Sequence, residues 1–81
     1  MSIKTQYNVV KFEDFLIKIG SNIRKLRLQK GFNQEDLDSG DYPVPVRTLQ
    51  EIEAGRANLT MKSVYKIAKH LKVQPKDIID V

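Results

Sequence analysis

The sequence predicts an all-α domain of five short helices, on three observations. Apolar residues recur at three- and four-residue steps, helix start and stop signals punctuate those periodic segments, and no strand-like alternation runs through the chain. A length of 81 residues makes one domain with one small core and no room for a substrate-sized cleft, which argues against an enzyme.

The first helix is expected from about residue 12 to residue 30, with Phe12, Phe15, Leu16, Ile19, Ile23 and Leu26 as its inner stripe. Gly31 should stop it, because glycine tolerates the left-handed conformation at a helix end, and Lys30 suits the dipole there. Residues 1–11 form an N-terminal extension without a clear period, in which Tyr7, Val9 and Val10 fit either a strand or a continuation of the helix. The domain proper is then 12–81.

A second, short helix opens with Asn33 as N-cap, Glu35 and Asp36 in the first turn, and Phe32 and Leu37 as a hydrophobic staple. Ser39 and Gly40 break it, and Asp41, Tyr42, Pro43, Val44 and Pro45 follow as a rigid connection, since proline fixes φ and biases the preceding residue away from helix. Tyr42 is read as standing in for an aliphatic core residue. The third helix runs from Pro45 or Val46 to Ala54 and ends at Gly55. The fourth has Thr60 as N-cap, Leu59 and Val64 as staple, and Val64, Ile67, Ala68 and Leu71 as inner stripe; the fifth begins at Pro75 and contributes Ile78 and Ile79.

The third helix has two faces with different chemistry. At about 100° per residue, Leu49 and Ile52 point inward while Arg47, Gln50, Glu51 and Ala54 point outward. That outer set matches base readout in a DNA groove: arginine donates twice to guanine, glutamine pairs with adenine, glutamate accepts from cytosine, and small apolar groups touch a thymine methyl.

Charge is unevenly distributed. Residues 1–33 sum to +5, residues 34–53 to −5 and residues 54–81 to +4, so basic ends that suit a polyanion flank an acidic middle that would repel one. With no cysteine, a disulfide framework and a thiolate metal site are excluded. The apolar runs are too short for a membrane span, the N-terminus does not read as a signal peptide, and a cytoplasmic protein without cofactor is expected.

In order and spacing, the segments IGSNIRKLR (19–27), GFNQEDL (31–37), VRTLQEIEAG (46–55) and NLTMKSVYKIAKHLKV (58–73) resemble the Xre-type helix-turn-helix family, which includes Cro and the phage repressors. The resemblance covers roughly residues 17–80 and implies a lambda-repressor-like DNA-binding domain. By it, Val46, Arg47, Thr48, Gln50 and Glu51 face the major groove, Gln34 meets the DNA backbone, and Arg56, Asn58 and Lys62 contact phosphate. Helix N-termini favour phosphate independently, through free N–H groups and the dipole.

Glu53 lies one turn after Leu49 at the edge of the buried stripe, and Arg27 lies one turn after Ile23 on the inner stripe of the first helix. A carboxylate so placed needs a partner, so an Arg27–Glu53 ion pair is expected, as the family pattern also suggests, with the role of orienting the third helix. The chain departs from that pattern in carrying Asp38 where alanine is usual after the second helix's leucine. Its connection is about one residue longer, lacks the turn glycine and contains two prolines, and Pro45 replaces the small polar N-cap of the third helix.

Several residues also have plainer readings. Glu51 sits four residues after Arg47, so the two can pair with each other. Lys62, Lys66 and Lys69 read as a solvated face of the fourth helix, and His70 as a surface or boundary residue without a second ligand at metal spacing. The NLT triplet at Asn58 reads as a cap rather than a glycosylation acceptor. The expected function is a transcriptional regulator that binds specific duplex DNA as a homodimer on a two-fold operator, through the fifth helix or the segment carrying Tyr7, Val9, Val10 and Phe12. The alternative is a protein-binding module, an antitoxin or adaptor, in which DNA binding is secondary or lost.

Overall fold

The computed structural model describes residues 9–81. Among them are four α-helices, α1 (Phe12–Gln29), α2 (Val46–Glu53), α3 (Met61–Leu71) and α4 (Pro75–Ile79), with a single 3-10 turn, Glu35–Leu37, between α1 and α2. Tyr7 lies outside the described residues. Val9, Val10 and Lys11 precede α1 and are exposed.

The core gathers one stripe from each helix: Ile19 and Ile23 from α1, Leu49 and Ile52 from α2, Val64, Ile67, Ala68 and Leu71 from α3, and Ile78 from α4. Leu37 and Val44 complete it from either side of the connection. Phe12 and Phe15, expected on the inner stripe of α1, are instead 57% and 37% exposed, lining an open groove with Met61 and Ile79.

Local signals account for the helix ends. Gly31 takes φ +79°, Phe32 N–H donates to Arg27 O (3.1 Å) and Gly31 N–H to Leu28 O (3.1 Å), a Schellman termination of α1. Gly55, at φ +76°, ends α2 the same way, with Arg56 N–H donating to Glu51 O (2.9 Å) and Gly55 N–H to Ile52 O (3.0 Å). Thr60 Oγ1 accepts from Ser63 N–H at 3.0 Å and caps α3. At α4, Pro75 takes the first position and Gln74 N–H donates to the Asp77 carboxylate at 2.9 Å, half of a capping box.

The second helix is where expectation and structure part. Asn33 caps as its sequence suggests, with its side chain accepting from Asp36 N–H (2.9 Å) and the Asp36 carboxylate accepting from Asn33 N–H (2.8 Å). The element nonetheless stops after one 3-10 turn. Asp38 leaves the helical region (φ −93°, ψ 58°), Ser39 Oγ donates to Asp36 O at 2.8 Å, and Val44 N–H donates to Leu37 O at 2.8 Å. The carbonyls that would propagate a helix are thus taken by a side chain and by the returning segment of the connection.

The same return settles the core position in the connection. Val44 is 3% exposed, whereas Tyr42, expected there, lies on the surface edge-on to Tyr65, ring centroids 5.6 Å apart, with Lys69 Nζ 5.7 Å from its ring. Its carbonyl is held by His70 Nε2 at 2.7 Å, which ties the connection to the last turn of α3.

α1 and α2 approach so closely that glycine is required. A Cβ on Gly20 would overlap Ile52 O and lie 2.8 Å from Glu53 O, and one on Gly55 would lie 2.8 Å from Ile17 Cα. The end of α2 therefore rests on α1, which fixes where its outer face points. α4 is tied to α1 by Asn22 Nδ2, which donates to Asp77 O (2.8 Å) and Ile78 O (2.9 Å).

Candidate nucleic-acid interface

α2 buries Leu49 and Ile52 and turns Arg47, Thr48 and Gln50 to solvent, with Val46 and Glu51 half-buried beside them. Its N-cap, Pro45, supplies no side-chain hydrogen bond, so the first turn keeps free N–H groups next to Arg47. Arg47 takes part in neither of the two ion pairs among the described residues. The residue is exposed.

Beneath that face lies the buried charge. Arg27 Nε donates to Glu53 Oε2 at 2.7 Å and Arg27 Nη2 to Glu53 Oε1 at 3.0 Å, with side chains only 7% and 5% exposed. Arg27 Nη1 also donates to Phe32 O at 2.9 Å, so one guanidinium joins α1, its own C-terminal turn and the last turn of α2. The Glu53 hydrogen bonds raise the Arg27 pKa above its ordinary value, over the opposing effect of burial. An always-charged planar donor fork is the residue type suited to such a position.

Gln34, half-buried in the turn before Glu35, is the third member. Its Nε2 donates to Glu53 Oε1 at 3.3 Å and its Oε1 accepts from Gln50 Nε2 at 3.3 Å. The residue expected at the DNA backbone thereby touches both the buried pair and the outer face of α2. No signal in spacing announces this contact, because it depends on how the 3-10 turn is laid across α2.

Glu51 has a different partner from the one its spacing suggests. It accepts from Arg56 Nε (3.2 Å) and Nη2 (2.8 Å) rather than from Arg47, because the Schellman turn at Gly55 folds Arg56 back over the last turn. The Arg56 hydrogen bonds hold the Glu51 carboxyl below the usual carboxylate range, and Glu51 in turn raises Arg56. This pair is solvent-exposed, at 63% for Arg56 and 40% for Glu51, so each member is available to exchange its partner. A glycine at the C′ position, with arginine next in sequence, is the local signal that identifies such a fold-back.

Asn58 and Lys62 are exposed, at the loop before α3 and in its first turn. Among α3's other cations Lys69 is exposed and Lys66 half-buried, and His70 is also half-buried. Among the described residues no group of three or more metal-ligating side chains comes together, and no helix is long and apolar enough to cross a membrane.

Comparison with known proteins matches the same region. A family model described as helix-turn-helix matches residues 23–78. The control protein C.BamHI of Bacillus amyloliquefaciens is 31% identical over 61 residues, covering 75% of each chain. The crystal structure of the restriction-modification controller protein C.AhdI from Aeromonas hydrophila superposes with a TM-score of 0.72 at 28% identity, over 78% of this chain and 94% of that one.

Proposed function

The chain belongs to the helix-turn-helix family, and from that premise we propose that it is a transcriptional regulator that reads duplex DNA with α2 in the major groove. The observation that carries this reading is the division of α2: Leu49 and Ile52 are locked into the core while Arg47, Thr48 and Gln50 stand free on the opposite side. Arg47 and Gln50, one turn apart, carry donor and acceptor patterns suited to base edges. Val46 and Glu51 flank them, and Gln34, Arg56, Asn58 and Lys62 supply backbone contacts around the rim. The Arg27–Glu53 pair holds α2 in place beneath this face. Control proteins among its relatives support a regulatory rather than a catalytic role.

The regulator acts as a homodimer on a two-fold operator, with half-sites about one helical turn, roughly 34 Å, apart. An exposed apolar face supports this: Phe12, Phe15, Met61 and Ile79 line a groove of about 170 Å³ that continues into Val9 and Val10. The start of α1 and the end of α4 both contribute to that face.

Selection of binding sites from random duplex DNA, at low salt and with the oligomeric state measured, tests the reading. Wild type should enrich one sequence, its affinity should fall steeply as salt rises, and Arg47→Ala should lose cognate binding. A dimer that enriches nothing, or whose binding ignores both salt and Arg47→Ala, is a protein-binding module instead.

A further inference from the structure

The last turn of α4 is held from outside the helix. Asp80 leaves the helical region (φ −83°, ψ 85°) and Val81 N–H donates to Ile79 O at 3.1 Å, so the helical ladder that would bond Asp77 O and Ile78 O is not continued. Asn22 Nδ2, from the middle of α1, donates to both of these carbonyls, at 2.8 and 2.9 Å. The end of the amide that lies between them must be its nitrogen, since an amide oxygen there would meet only acceptors. Both amide hydrogens of Asn22 are thereby engaged on one five-residue helix.

A helix this short has little stability of its own, and its orientation follows from what holds it. Two consecutive residues of α4 depend on that orientation. Ile78 is fully buried, while Ile79, about 100° further round the helix, is 43% exposed and lines the apolar groove with Phe12, Phe15 and Met61. The Ile78 side chain anchors α4 in the core, and the Asn22 bonds to the adjoining backbone fix its rotation about that anchor.

We propose that Asn22 is a positioning residue for the homodimer, which keeps Ile79 on the apolar face that a second copy of this chain covers. The inference rests on the reading of that face as the dimer surface. It gives a part in assembly to a polar residue that does not itself line the groove. Without the two Asn22 bonds the end of α4 frays in the monomer and must be ordered again when two copies meet. Fixing the backbone of even one residue on association weakens it by about tenfold.

The test measures the dimer dissociation constant of the full chain by sedimentation equilibrium, at a temperature where circular dichroism shows each protein to be folded. Asn22→Asp keeps the shape of the side chain but faces the two carbonyls with oxygens, and Asn22→Ala leaves them to water. Each should raise the constant by about tenfold or more, as should Ile79→Ala, which removes the positioned side chain itself. Asn22→Ala carries the test if Asn22→Asp is unfolded.

A lowered thermal midpoint with an unchanged dimer constant in the Asn22 variants overturns the proposal, because Asn22 then acts on stability alone. So does an Ile79→Ala protein that dimerises like wild type while Met61→Asp does not, which leaves the dimer face standing without α4. A wild type that stays monomeric at every concentration refutes the dimer reading itself, and this inference with it.

Discussion

Replacing Arg27 by methionine should destabilise the domain strongly, because this arginine sits on the inner stripe of α1 and is only 6% exposed. The substitution removes three hydrogen bonds, two to Glu53 and one to Phe32 O, and leaves the Glu53 side chain 5% exposed with the Gln34 amide, at 3.3 Å, as its remaining partner. Stranding a buried carboxylate costs about 3–5 kcal/mol. A domain of this length has a total stability of about 4–12 kcal/mol, so the loss removes from about a quarter to all of it.

The double variant Arg27→Met with Glu53→Met separates the pair's net worth from the penalty of breaking it. Two apolar side chains of similar length should recover most of the loss, because a buried ion pair and its apolar replacement differ by little once desolvation is counted. Urea unfolding followed by circular dichroism gives the four corners of the cycle, with Arg56→Ala as an exposed-pair control that should lower the midpoint only slightly. If Arg27→Met costs no more than Arg56→Ala, or if the double variant is as unstable as the two single losses added together, the reasoning from burial is wrong.

Gly20→Ala should lower the thermal midpoint, since its Cβ meets backbone oxygens of Ile52 and Glu53 that cannot swing aside. The overpacking costs about 1–3 kcal/mol and outweighs the roughly 1 kcal/mol gained from alanine's helix propensity; a raised midpoint would contradict the close approach of α1 and α2. The Glu51 carboxyl, followed by NMR, should titrate below its ordinary value of 4.5 and return toward it in Arg56→Ala. Because the folded value is depressed, the stabilisation from this pair is present above the ordinary carboxylate range and is lost as pH falls through the lower folded value. Met61→Asp, at a site 72% exposed, should shift sedimentation from dimer to monomer while leaving the circular dichroism spectrum unchanged; an unaltered dimer would place the interface elsewhere.

The parts legible in the sequence are those fixed within a few residues. The α1 termination at Gly31, the Thr60 cap of α3, the Pro75 start of α4 and the end of α2 at Gly55 follow from side chains that bond to, or relieve strain in, the backbone beside them. The α3 stripe is equally local, because helical periodicity assigns a face before any partner is known. The second helix misled for an instructive reason. Its N-cap is present, yet propagation depends on carbonyls that Ser39 and the distant Val44 claim first. Tyr42 and Val44 cannot be ranked from composition either, since the return of the connection onto Leu37, through the Val44 N–H, decides which of them faces inward.

The sequence alone determined an all-helical chain, a two-faced α2 carrying Arg47 and Gln50 outward, and a family likeness that rests on the order of its segments. Periodicity and caps act through nearest neighbours, and each is written within one or two turns. Only the tertiary structure decided that Gln34 would join Gln50 to the Arg27–Glu53 pair, that Glu51 would turn to Arg56, and that Phe12 and Met61 would share an open apolar face. Those contacts depend on how close α1 lies to α2 at Gly20 and where the connection returns at Val44, distances that arise only when all the elements pack at once.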